Sequence, residues 1–145
     1  MTDPGNILLY AIVKLVAYSV WCAFGLRLAG QPGGLARAAW LGLVRWLIGL
    51  IVGTIIFFVV PAKRSDVVAL YFAIYVPVRF VEWYILSKLL LPRGAEWPSP
   101  SAEGFRSSTR RLPWILGGIV LSFLTDMVSP DMIEDGRFCI GRCLC

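Results

Sequence analysis

The chain has 145 residues, of which 58% are hydrophobic and 16% charged, and its net charge is +5 at pH 7. Soluble domains carry about 25% charged residues, and a domain of about 150 residues still exposes roughly 30% of its chain surface. The mean hydropathy of +0.74 therefore excludes an ordinary soluble domain and favours an integral membrane protein. Basic loops account for the net charge without a nucleic-acid partner. The sequence contains no histidine, which removes the commonest metal ligand and the commonest general base near neutral pH.

Four apolar segments approach the roughly 20 residues that a helix needs to cross a bilayer core of about 30 Å. We predict an all-α, polytopic membrane protein that forms a single membrane domain over 1–145, with four transmembrane helices and short loops. The predicted spans are 7–29, 39–60, 67–91 and 112–129, with an aqueous loop at 92–111 and a C-terminal tail at 130–145. Segment 4 is the shortest, so an interfacial or re-entrant placement stays open for it. Pro77 is predicted to bend segment 3.

The distribution of Lys and Arg predicts the orientation. Seven of these residues lie near loops 30–38 and 92–111, whereas four lie on the side that holds both termini. Because cytoplasmic loops are enriched in Lys and Arg, we predict that both termini are non-cytoplasmic. A first segment longer than the apolar core of a signal peptide, about 7–15 residues, is predicted to be retained, which suggests a bacterial inner membrane. Trp40, Trp97 and Trp114 are predicted anchors in the headgroup region.

Five ionisable residues lie within the predicted spans, where each charge costs about 2.5–3.5 kcal/mol at the helix centre unless it finds a partner. Helix rise places Arg45, Arg79 and Glu82 in one buried layer, and it places Lys14 and Asp126 in a second, shallower layer near the opposite surface. The first layer is either a neutralised ion-paired cluster that fixes helix register or docks a partner, or a polar cavity that binds an anion or relays protons. Lys14 and Asp126 could also reach the nearby headgroups.

Small residues predict where helices approach each other closely. Gly49 and Gly53 form a Gly-x-x-x-Gly pair in segment 2, a pattern typical of packed membrane helices. Gly118 and Ser122 share a face of segment 4 with Asp126. We therefore predict that Gly49, Gly53, Gly118 and Ser122 lie at helix contacts.

The tail carries three cysteines, Cys139, Cys143 and Cys145. Outside the cytoplasm the simplest outcome is a disulfide between two of them, with the third available for an intermolecular bond. Inert thiols are an alternative. A metal site is less favoured because structural sites normally have four ligands, so no metal or other cofactor is predicted.

The sequence lacks the common nucleophile, phosphate-loop and dinucleotide motifs, which favours a non-catalytic protein. Our first hypothesis is an accessory or structural subunit of a larger membrane complex that docks through its transmembrane helices, with other membrane subunits and lipids as partners. The alternative is a small homo-oligomeric transporter or channel that uses the buried Arg and Glu residues. A membrane enzyme acting on lipid phosphate is less favoured.

Overall fold

The computed structural model describes the backbone of residues 4–31, 34–59, 67–91 and 107–128, and the side chains of 5–31, 34–55, 72–91 and 111–128. All regular secondary structure in these ranges is α-helical, which confirms the predicted all-α class. The helices are α1 (Pro4–Leu28), α2 (Leu35–Val59), α3 (Val67–Leu89) and α4 (Ser107–Met127). The predicted tail, its three cysteines, Trp97 and most of the predicted aqueous loop lie outside the described residues.

The end of α1 and the start of α2 follow from local backbone chemistry. Gly30 has a φ of 64°, and the Gln31 N–H donates to the Leu26 carbonyl at 2.9 Å while the Gly30 N–H donates to the Arg27 carbonyl at 3.0 Å. These two bonds form a Schellman motif, which requires a left-handed residue that glycine adopts without strain. The Gly34 carbonyl then accepts the first helical bond of α2, from Arg37. Helix α2 thus begins four residues before the predicted span.

Helix α4 also begins earlier than the predicted span, at Ser107, within the segment predicted as an aqueous loop. Hydropathy locates only the apolar part of a helix, so it does not detect a polar first turn. Pro113 lies inside α4, where it removes the N–H that would bond to the Thr109 carbonyl, but the helix continues. Helix α3 likewise runs through Pro77 as one element.

The four helices form a bundle in which each helix contacts the next and α4 closes the ring against α1. Helices α2 and α3 are antiparallel, because Arg37 near the start of α2 donates to the Leu90 carbonyl just after α3 at 2.9 Å. The same bond satisfies a carbonyl at the end of α3 that has no helical partner. The end of the bundle that holds Leu28, Leu35 and Leu89 is called the loop end, and the other is called the far end.

The interior near the loop end is apolar and aromatic. Cys22, Leu26, Leu86, Leu90 and Trp114 are all buried there, and each is at most 1% exposed. Trp114 therefore lies in the core, although its position in the sequence predicts a headgroup anchor. Trp40, in contrast, is exposed.

Tryptophan rings in this core lie against glycines of neighbouring helices. A Cβ atom at Gly25 would lie 2.5 Å from Nε1 of Trp114, and one at Gly117 would lie 2.5 Å from Cζ2 of Trp21. The Nε1 atoms of Trp21 and Trp114 each donate to the other's backbone carbonyl, at 3.1 and 3.2 Å. Helices α1 and α4 are thus joined by a reciprocal pair of indoles that requires both glycines.

Two helical segments, Gly5–Leu28 and Leu35–Ile55, are long and apolar enough to cross a membrane, with mean hydropathies of 2.0 and 1.8. Helix α3 carries Arg79 and Glu82 and helix α4 carries Asp126, and these charges lower the hydropathy of both helices.

Gly118 tests the ring-to-glycine packing, since a Cβ atom there would lie 2.5 Å from Cδ2 of the fully buried Trp83. We expect Gly118→Ala to lower the free energy of unfolding by about 1–3 kcal/mol through overpacking, measured by thermal unfolding in detergent. Gly34→Ala is the control, because its Cβ would meet nothing within 4 Å. Equal stability of the two variants would contradict this packing.

Candidate functional site: an ionic network inside the bundle

The three residues predicted to share a buried layer, Arg45, Arg79 and Glu82, are in contact. Oε2 of Glu82 lies 2.7 Å from Nη2 of Arg45 and 2.9 Å from Nη1 of Arg79. Arg45 is 0% and Glu82 is 2% exposed, so this carboxylate oxygen exchanges water for two guanidinium donors. Charge-assisted bonds of this kind are stronger than neutral ones, particularly with the planar guanidinium of arginine.

The second predicted pair, Lys14 and Asp126, lies in the same interior and joins the first group. Nζ of Lys14 is 2.5 Å from Oδ1 of Asp126, and Nη2 of Arg79 is 3.3 Å from Oδ2. The hydroxyl of Tyr10 also donates to Oδ1, at 2.9 Å. Arg79 therefore bridges the two carboxylates, and the two predicted layers form one continuous group. We call Lys14, Arg45, Arg79, Glu82 and Asp126 the ionic network.

Helix periodicity explains how the sequence brings these side chains together. Residues three or four apart share a helix face, so Arg79 and Glu82 both point inward from α3 and pair with each other. Tyr10, Lys14 and Tyr18 are spaced by four on α1, and all three are buried. The network extends from the middle of the bundle, where Arg45 and Glu82 lie, toward the far end, where Asp126 lies.

Arg45 makes contacts with every other helix. Its guanidinium carbon lies 5.0 Å from the ring centroid of Tyr18 on α1 and 5.0 Å from that of Trp83 on α3. Its Nη2 atom also donates to Oγ of Ser122 on α4 at 3.4 Å, and Nε1 of Trp83 donates to the same hydroxyl at 3.1 Å. Cation–π contacts in a desolvated site contribute about 2 kcal/mol each, so the aromatic rings partly replace lost hydration.

The small residues predicted at helix contacts have distinct surroundings. A Cβ atom at Gly49 would lie 3.1 Å from Nη1 of Arg45 and 3.3 Å from Nη1 of Arg79. Gly49 thus makes room for the two guanidinium groups, whereas Gly118 makes room for the Trp83 ring. Ser122 is the hydroxyl that joins Arg45 to Trp83, and Gly53 is half-buried in α2.

The ionic network is not balanced in charge or in hydrogen bonds. Three of its side chains are cationic and two are carboxylates, which leaves one excess positive charge. Nε and Nη1 of Arg45, Nε of Arg79 and Oε1 of Glu82 are buried without a hydrogen-bond partner among the described residues. Buried polar atoms normally find partners, so these four atoms mark the part of the network where water or an ion would be most stabilised.

No group of three or more His, Cys, Asp or Glu side chains that could hold a metal ion occurs within the described residues. The tail cysteines, for which a disulfide is the favoured prediction, lie outside them. Cys22 is a buried free thiol.

The predicted site residues do not include four aromatic side chains that contact the network: Tyr10, Tyr18, Tyr75 and Trp83. A signal for Tyr10 and Tyr18 exists, because they flank Lys14 at helical spacing and so must share its face. Trp83 has the same signal, because it lies four residues after Arg79 and so shares its face.

Two substitutions test whether the balance of charge governs the stability of the network. Glu82→Gln would raise the excess charge from one to two, and removing one partner of a buried pair costs about 3–5 kcal/mol. Arg45→Met would leave two cations and two carboxylates. We therefore expect Glu82→Gln to destabilise the bundle more than Arg45→Met, measured by thermal unfolding in detergent.

The double variant Arg45→Met/Glu82→Gln completes the cycle. Because its net network charge returns to that of the native chain, we expect it to lose less stability than the sum of the two single variants. Additive losses, or a larger loss for Arg45→Met than for Glu82→Gln, would show that charge balance does not govern the stability of the network.

Comparison with known proteins gives no relative from which a role could be transferred. No protein-family profile, curated protein or solved structure matches the chain.

Proposed function

We propose that all four helices cross a membrane and that the chain is a non-catalytic subunit of a larger membrane protein complex. The helices have 21 to 25 residues, which at about 1.5 Å per residue matches a bilayer core of about 30 Å. The five residues of the ionic network point inward, whereas exposed large apolar side chains occur on every helix, for example Val20, Ile51, Val81 and Leu116. This inside-out arrangement is typical of proteins solvated by lipid.

The state of the two network carboxylates supports a non-catalytic role. Asp126 contacts Lys14, Arg79 and the hydroxyl of Tyr10, and Glu82 contacts two guanidinium groups. Both carboxylates are thus engaged by side chains of the bundle itself. A general base must be free to approach its substrate, so this geometry does not favour the membrane-enzyme hypothesis.

The observation that carries the subunit proposal is an aromatic ridge on the outside of α3. Phe72, Val76, Phe80 and Tyr84 recur every four residues and are 38 to 44% exposed. The rings of Phe80 and Tyr84 stack with centroids 6.5 Å apart, and Phe72 lies 5.7 Å from Phe123 on α4. We call these four α3 residues the aromatic ridge.

A partner helix explains the aromatic ridge better than lipid does. Rigid aromatic side chains are enriched where protein surfaces pack together. The partner we infer is a transmembrane helix of a different chain with small residues facing the ridge, because small residues let membrane helices approach closely. The charges of the ionic network are engaged inside the bundle, so docking would depend on van der Waals packing.

The test is extraction of the native complex in mild detergent, followed by native mass determination and identification of its subunits. We expect a foreign membrane subunit in fixed stoichiometry with the native chain, and we expect Phe80→Ala to release it. Val120→Ala on α4 removes a comparably exposed apolar side chain outside the ridge and should retain the partner. A chain that extracts alone or as a homo-oligomer would contradict the proposal, as would equal release by both variants.

A second candidate is proton or anion transport by an oligomer, which the unpartnered atoms of Arg45 and Glu82 and the excess positive charge favour. Against it, the loop-end interior is filled mainly by Trp114, Leu86 and Leu90, and the buried Ser87 hydroxyl there accepts a hydrogen bond from Nε of Arg111. Transport would require this core to open.

Proteoliposomes containing a pH-sensitive dye separate the two candidates. Transport predicts a proton flux above that of protein-free vesicles, lost in Glu82→Gln and retained in Lys88→Gln, which removes an exposed cation outside the network. The subunit proposal predicts no flux in any of the three proteins. Circular dichroism of each variant shows whether the bundle remains folded.

A further inference from the structure

We propose that the groove between α1 and α2 binds one anionic phospholipid, with its phosphate at Arg27 and an acyl chain along the groove. The inference rests on the proposed membrane location but not on the proposed partner. The groove has a volume of about 880 Å³ and an almost entirely apolar lining. Leu15, Ser19 and Ala23 line it from α1, and Ala39 and Leu43 line it from α2.

The groove exists because α1 and α2 approach closely beneath small residues. A Cβ atom at Gly42 would lie only 2.8 Å from the backbone nitrogen of Ser19, so the two helix axes are near each other at this level. The Ser19 hydroxyl donates its proton to the Leu15 carbonyl of its own helix at 2.7 Å. Ala23 and Ala39 then widen the groove towards the loop end.

The length of the groove distinguishes a lipid from a partner helix. From Leu15 to Arg27 it extends over about 18 Å at 1.5 Å per residue, close to the thickness of one leaflet, about half of a 30 Å core. A transmembrane helix would need a surface across the whole bilayer. A phospholipid needs one leaflet of apolar surface and a cation at the headgroup level, and the groove offers both.

Arg27 supplies the charge that selects an anionic headgroup. It lies in the last turn of α1, it is exposed, and it lines the groove. Unlike Arg37, Arg45, Arg79 and Arg111, it makes no hydrogen bond or ion pair within the described part of the chain. Trp40, 62% exposed, lies beside the same groove, and exposed tryptophan is favoured at the headgroup level. A guanidinium free to form two parallel bonds suits a phosphate group.

The experiment is native mass spectrometry of the detergent-purified full chain with phosphatidylglycerol or phosphatidylcholine of identical acyl chains. We expect the native chain to retain one phosphatidylglycerol in preference to phosphatidylcholine. One Lys or Arg near an anionic surface is worth roughly a fivefold preference, so Arg27→Gln should bring the two lipids to similar retention. Lys88→Gln is the matched control, because Lys88 is an exposed cation at the same loop end but outside the groove.

A second pair of variants tests the groove itself. Ala39→Phe fills it from an exposed position and should reduce retention of both lipids, whereas Ala73→Phe adds the same ring to an exposed position of α3 outside the groove and should have no effect. Equal effects of Arg27→Gln and Lys88→Gln would overturn the proposal in favour of diffuse electrostatics. Full lipid retention by Ala39→Phe would also overturn it.

The possible outcomes distinguish failure of the lipid site from failure of the proposed membrane location and of the proposed partner. A chain that stays in solution without detergent and binds neither lipid would overturn the membrane location itself. A detergent-extracted bundle that retains both lipids equally would overturn only the lipid site. Loss of the partner in Phe80→Ala bears on the subunit proposal alone, since Phe80 does not line the groove.

Discussion

The fully buried guanidinium of Arg45 is the constraint on which the rest of the bundle depends. A charge placed in a low-dielectric interior is stable only if its partners have good geometry, and Arg45 finds them on all three other helices: Tyr18 on α1, Glu82 and Trp83 on α3, and Ser122 on α4. Rotating or sliding any one helix would remove at least one of these contacts. A single side chain therefore fixes the register of four helices whose outer faces are too uniformly apolar to specify it.

The interior divides into two halves that stabilise the bundle by different means. Near the loop end, tryptophan rings fill the gaps left by glycines, and dispersion attraction between closely packed atoms stabilises the helix contacts. From the middle of the bundle toward the far end, the ionic network holds the helices by charge, and the Ser122 hydroxyl joins Trp83 to Arg45. Apolar packing alone would allow each helix to adopt several rotations about its axis. The directional bonds of the network select one of them.

Much of this arrangement is predictable from sequence. Hydropathy finds the four helices, and helix rise and face place Arg45, Arg79 and Glu82 at a common depth. The bridge from Arg79 to Asp126 is not predictable, because depth counted from opposite surfaces does not show how far a long guanidinium side chain reaches. Gly49 resembles a helix-packing glycine, yet arginine groups lie in its gap. Hydropathy predicts whether a segment lies in lipid or in water. These contacts depend instead on how each helix is rotated about its axis relative to its neighbours, which a single sequence does not specify.

The two outer surfaces proposed for binding lie on opposite edges of the bundle. Helix order around the ring places the α1–α2 groove across from the α3–α4 edge, where Phe72 of the aromatic ridge meets Phe123 of α4. A partner on the ridge would leave the groove open to lipid. Between the two surfaces lies the ionic network, for which the structure shows a single arrangement, whereas coupling between distant sites requires an element with two arrangements. We therefore expect lipid and partner to bind independently, so the lipid at Arg27 would orient the bundle in the membrane without controlling its assembly.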